Sequence, residues 1–208
     1  MRLKALVITL LLAGLPCARA TIGGLNQIVT PDIQPEGSFS IGALGEDKAI
    51  GDQGKLQLEL GVTPWLGAAY YQGVSPSEGL VAAEASLLAK GPHLVTVGFI
   101  NWSTRGGTPQ PFLEYGYYAD KDHVVVGGIV ANKKAEVPLG YTHNFTDKLC
   151  LVLDYQTGSE NYSTIGFTYN FTPNFQVNPA LYFNNSRPRS LHWYLVFTVT
   201  TQLWKPAS

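Results

Sequence analysis

The chain has 208 residues, a formal net charge of −1 and only 14% charged residues, against about 25% in ordinary soluble domains. That balance gives no strong pull toward nucleic acid or anionic membrane surfaces. Aromatic and hydrophobic residues, at 12% and 45%, exclude a disordered chain.

The chain opens "MRLKALVITLLLAGLPCARA". Arg2 and Lys4 form a positive n-region, Ala5 to Leu15 an apolar core and Ala18-Arg19-Ala20 a small-residue cleavage site, so residues 1–20 read as a secretory signal. The apolar run is too short for a membrane-spanning helix, which needs roughly 20 residues. Cys17 raises a lipoprotein alternative, but Pro16 fits a lipidation site poorly. Removal of Cys17 leaves Cys150 as the only cysteine, so no intramolecular disulfide forms. Residues 21–36, "TIGGLNQIVTPDIQPE", are punctuated by Gly and Pro and carry no period. They are expected to be an irregular N-terminal segment.

From Ser38 onward the apolar period is two, and turn signals recur every dozen or so residues, which indicates short antiparallel strands. Expected strands are Ser38–Leu44, Lys55–Val62, Trp65–Gln72, Leu80–Ala89, His93–Trp102, Phe112–Ala119, His123–Ala131 and Val137–Phe145. The last four are Leu149–Gln156, Thr164–Phe171, Phe175–Asn184 and Leu191–Trp204, for about twelve in all (range 10–14). "GLVAAEASLLAK" at Gly79–Lys90 has helical propensity. It is assigned to strand because Val81, Ala83, Ala85 and Leu87 alternate with Ala82, Glu84 and Ser86. Short connections such as "KGP", "ADKD" and "FTPN" alternate with longer ones such as "GEDKAIGDQG", "STRGGTPQP", "NKKAE" and "NNSRPRS". One turn recurs in three forms: "GVTPWL" at Gly61, "NFTDKL" at Asn144 and "NFTPNF" at Asn170.

One strand face carries Leu, Phe, Val and Ile. The other carries Thr, Gly, Asn, Gln, Ser and Ala, with the Lys and Arg residues gathered in connections and at strand ends. A soluble barrel would coat its outer face with charge. A sparsely charged polar face suits a lumen, and an apolar face with aromatics near its ends (Trp65, Tyr71, Phe145, Phe171, Phe175, Trp193) suits lipid with interfacial girdles. The expected fold is therefore all-β: a closed, antiparallel, up-and-down transmembrane barrel over residues 37–204, with a tail at 205–208. Among lumen-facing positions Glu59, Glu84, Glu114 and Asp154 are candidate selectivity residues, since rings of carboxylates favour cations. Gly61, Gly98, Gly116, Gly140 and Gly166 share that face, where they relieve strain in a curving sheet or keep the lumen open.

His93, His123, His143 and His192 lie on separate strands without ligand spacing, so neither metal nor cofactor is expected. His143-Asn144 invites comparison with a membrane phospholipase, but no serine of matching face and depth accompanies it, and no enzyme activity is expected. The N-x-S/T matches, as at Asn101 and Asn161, read as turn-favouring residues.

The signal, the turn grammar and the alternation together resemble small bacterial outer-membrane β-barrel proteins, broadly porin-like. The resemblance implies export to the bacterial outer membrane and insertion in the lipid bilayer by barrel-assembly machinery. It also implies a passive pore for ions or small hydrophilic solutes, as a monomer or trimer alike. The other readings are a closed-lumen accessory barrel and a secreted soluble barrel with an apolar ligand. The protein should fold in detergent or lipid and not in detergent-free buffer. Circular dichroism with a heat-modifiable gel shift checks this, and folding in plain buffer would select the soluble barrel.

Overall fold

A computed structural model describes residues 24–51, 53–74, 77–131, 133–187 and 190–206. The expected signal sequence and Cys17 lie outside the described residues. Strands β1 (Ser38–Glu46), β2 (Gly54–Thr63), β3 (Leu66–Gly73), β4 (Gly79–Lys90), β5 (His93–Ser103) and β6 (Gln110–Ala119) form one half of the wall. The other half comprises β7 (Asp122–Ala131), β8 (Lys134–Glu136), β9 (Pro138–Asn144), β10 (Leu149–Gln156), β11 (Tyr162–Thr172), β12 (Phe175–Asn184) and β13 (Leu191–Gln202).

Apart from β8 and β9, which both pair with β7, each strand pairs antiparallel with the next in sequence, and β1 pairs with β13 over nine residues from Ser38↔Gln202 to Glu46↔Tyr194. The sheet is thus a closed 12-strand barrel plus one extra strand. The extra strand is β8, which falls within the expected connection "NKKAE". It pairs with Ile129–Ala131, and β9 then takes over the pairing of β7 from Asp122 to Val126. "GLVAAEASLLAK" is strand, because its alternating faces look onto two different media. Its pairing with β5 slips at Val81/Ala83 and Ser86/Leu88, and the second slip leaves both Leu87 and Leu88 exposed.

The two faces are inverted relative to a water-soluble protein. Leu113, Val199 and Phe167 are 53%, 52% and 41% exposed, whereas Glu84 and Glu114 are 2% and 1% exposed. Isolated exposed apolar residues mean little, but a continuous belt of them around buried carboxylates marks a lipid-type exterior.

Connections at residues 64–65, 91–92, 120–121, 145–148 and 173–174 define one rim, and the longer ones, including 47–53, 104–109 and 185–190, define the other. The recurring turn lies at the short rim in all three forms, and its shared threonine explains it. Thr63 Oγ1 accepts the Trp65 N–H at 3.3 Å, Thr172 Oγ1 accepts the Asn174 N–H at 3.3 Å, and Thr146 Oγ1 accepts the N–H groups of Lys148 and Leu149 at 3.2 and 3.0 Å. The hydroxyl supplies an acceptor for donors that the reversing backbone cannot pair with itself.

Phe167 stands on the outer face of β11, opposite Leu151 of β10. Phe167→Arg should cost about 2–4 kcal/mol of stability in a bilayer, while Phe167→Leu should cost far less. Equilibrium refolding into lipid vesicles measures both.

Candidate functional site

The candidate site is the lumen. The period of two places Glu59 on β2, Glu84 on β4, Glu114 on β6 and Asp154 on β10, and all four point inward and are buried. Glu84 and Glu114 flank β5 on one wall: Glu84 is opposite Gly98 and Glu114 opposite Thr96, two positions along the same strand. Gly127, across from Glu114, leaves room for that side chain to lie along the wall, since a Cβ there would come 2.6 Å from Glu114 Cγ. Glu46 and Glu136 are also buried, toward the long-loop rim. Lys55 Nζ lies 2.8 Å from Glu46 Oε1. Glu136 accepts hydrogen bonds from Gln156 Nε2 at 2.6 Å and Asn161 Nδ2 at 2.7 Å.

The lumen also contains part of the chain itself. Residues 24–37 enter at the short rim, where the Gly37 N–H donates to the Gly61 carbonyl at 2.8 Å. Gln34 Nε2 donates to Ser40 Oγ at 2.9 Å, Thr96 donates to the Pro31 carbonyl, and Tyr118 OH donates to Asp32 Oδ1 at 2.9 Å. Val29 packs with Phe112 and Ile129, and Leu25 and Ile28 pack with Val125, Cys150 and Val152. Asn26, 2% exposed, is the anchor. Its N–H donates to Asp154 Oδ2 at 2.8 Å, and its Nδ2 to Thr164 Oγ1 at 2.8 Å. Its Oδ1 accepts from Asn178 at 3.2 Å, and its carbonyl accepts from Tyr182 OH.

Asp154 therefore holds the segment. Besides the Asn26 N–H it accepts the Gln27 N–H at 3.0 Å and the Thr164 hydroxyl at 2.7 Å. Three donors on one carboxylate are the usual way to offset its burial. The inward glycines acquire a role that neither curvature nor an open bore describes. A Cβ on Gly61 would lie 2.1 Å from the Pro35 carbonyl oxygen, and one on Gly140 would lie 2.3 Å from Leu25 Cδ1. Gly116 and Gly166 likewise face Pro31 and Asn26, whereas Gly98 faces the Ala83 carbonyl and Phe112.

Of the aromatics, Trp65, Phe145, Phe171 and Phe175 lie at the short rim, and Trp193 is on the outer face near the long rim. Tyr71 is a correction: its side chain is on the inner face, packed near Ala69 and Ala82. The pairs Gly61↔Gly67 and Glu59↔Ala69 set the parity of β3, and Tyr71 follows Gly67 and Ala69 inward. His143 is bonded to Asp122 at 2.8 Å across neighbouring strands. Among the described residues no group of three or more His, Cys, Asp or Glu side chains could hold a metal. The segment's part in the lumen had no signal in the sequence beyond an unusual density of polar residues, Asn26, Gln27, Thr30 and Asp32, between apolar ones.

A closed antiparallel barrel, apolar outside and polar inside, with short and long connections segregated to opposite rims, defines the porin-like class of outer-membrane barrels. Solved structures agree at the level of fold. The chain is similar to the KdgM porin in complex with disordered oligogalacturonate, with a TM-score of 0.58 and 12% identity over 78% of this chain and 98% of that one. It is similar to the NanC porin, with a TM-score of 0.55 and 9% identity over 79% and 98%. No protein-family model and no curated protein matches the sequence.

Asn26→Ala removes the side-chain half of the anchor, and Gly61→Leu forces the segment away from the wall. Both should raise proteinase K cleavage within residues 24–36, by about tenfold or more for Asn26→Ala, while the barrel itself stays resistant. Mass spectrometry of the digest reads the result.

Proposed function

We propose that the protein is a passive channel of the bacterial outer membrane for ions or small hydrophilic solutes, with cations preferred and residues 24–37 narrowing the bore. The observation that carries this reading is an acid-lined polar interior enclosed by an apolar exterior. The expected signal peptide and assembly by the barrel-insertion machinery belong to the same reading. Trp65, Phe145, Phe171 and Phe175 would anchor one membrane interface and Trp193 the other. Glu59, Glu84 and Glu114 would set selectivity, while Asp154 acts through the segment that it holds.

The cargo need not follow that of the structural neighbours. Oligogalacturonate is a polyanion, and carboxylates in a narrow, weakly solvated passage oppose anions. A neutral or cationic solute suits this wall better. A second reading, a closed accessory barrel, is favoured by the five hydrogen-bonding partners that hold Asn26 inside the lumen.

Planar-bilayer recording separates the two. The channel reading expects discrete conductance steps and a cation-selective reversal potential in a salt gradient. Glu84→Gln with Glu114→Gln should move the permeability ratio severalfold toward unity, and deleting residues 24–35 should enlarge the steps. Silence from the folded full-length chain, with steps appearing only after the deletion, would select the closed barrel.

A further inference from the structure

At the long-loop mouth, three side chains from two separate parts of the chain form a relay. Ser190 Oγ lies 2.6 Å from His192 Nε2, and His192 Nδ1 lies 3.1 Å from Asp47 Oδ2. The order is nucleophile, base, orienting carboxylate, with each nitrogen of the imidazole engaged on the correct side. With Nδ1–H donated to Asp47, the Nε2 lone pair faces the serine hydroxyl, which is the tautomer a general base requires.

Barrel closure holds this arrangement. The Asp47 N–H donates to the Trp193 carbonyl at 3.0 Å, extending the β1–β13 ladder by one bond. Asp47 Oδ1 accepts the Ala49 N–H at 2.9 Å, which leaves Oδ2 for the imidazole. These two bonds hold the Asp47 carboxyl below its usual range. The Tyr162 ring meets the imidazole edge-on at 6.0 Å, and its hydroxyl donates to the Ala49 carbonyl at 3.3 Å.

We infer that Ser190, His192 and Asp47 form a serine-hydrolase relay that cleaves carboxylic esters of water-soluble alcohols at the barrel mouth. The substrate class follows from position. Ser190 and His192 share the inner parity of β13, while Trp193 between His192 and the next inward residue points outward. The relay is therefore reached from the aqueous mouth and not from lipid, which disfavours phospholipids. The connection at 185–190 is too short to clamp an extended peptide.

In the reaction the Ser190 oxygen bonds to the acyl carbon as its proton passes to His192 Nε2. The tetrahedral adduct collapses, the ester C–O bond breaks, and the alcohol departs with that proton. Water then gives a proton to His192 and its oxygen to the acyl carbon. The carboxylic acid leaves as Ser190 regains its proton. No oxidant, metal or further reactant enters the balance. Ser190 and His192 are the catalytic residues and Asp47 the positioning residue. The inference does not depend on whether the lumen conducts.

The test uses the full-length protein folded in detergent, with folding of each variant verified by heat-modifiable gel mobility. A fluorophosphonate probe should form an adduct that peptide mass spectrometry maps to Ser190 and that Ser190→Ala and His192→Ala abolish. With p-nitrophenyl acetate, whose good leaving group makes little demand on oxyanion stabilisation, Asp47→Asn should lower kcat on the order of 10⁴-fold and leave KM unchanged. No adduct at Ser190 in the folded protein, or equal labelling in His192→Ala, would overturn the relay. An unchanged kcat in Asp47→Asn would overturn the role given to Asp47.

Discussion

An apolar exterior offers backbone N–H and C=O groups nothing to bond to, so every strand must find a partner on both sides. The nine-residue pairing of β1 with β13 meets that requirement by joining the first strand to the last. Closure then dictates the rest. Once there is no edge, the pleat sends alternate residues to two different media, and the apolar set must be the outer one. The same closure brings Asp47 beside His192, although 145 positions separate them in the chain.

Closure also creates a problem of volume. Eight strands give a lumen that wall side chains can fill, and twelve give a wider one. Here the excess space is taken by residues 24–37, whose polar groups pair with an inner wall rich in Asn, Thr and Asp. Glycines on the wall and atoms of the segment, from the Pro35 carbonyl at Gly61 to the Leu25 side chain at Gly140, meet at distances that a Cβ would forbid. The wall and the segment are therefore complementary surfaces of one core, and a lumen residue such as Asp154 is structural, because its carboxylate holds the segment through the Asn26 and Gln27 N–H groups.

Much of the wall is legible in the sequence. The alternation in Leu149–Gln156 and Thr164–Phe171 is complete, and these strands end at most two residues from where the pattern ends. Tyr71 shows the limit of that reading. In "AAYYQ" two tyrosines stand side by side, so the pattern does not say which of them faces lipid. The hairpin register decides it, through the pair Gly61↔Gly67. The strand at Lys134–Glu136 was hidden for a related reason: three residues are too few to display a period.

What the sequence determined by itself is what arises from neighbours a few residues apart. Strand period, charge depletion, the threonine-centred turns and the segregation of short from long connections are all properties of that kind. Tertiary structure alone decided which residues fill the lumen, what Asp154 binds and which carboxylate meets His192. Those contacts span more than a hundred residues, and a chain has no local signal for a partner that only closure brings near.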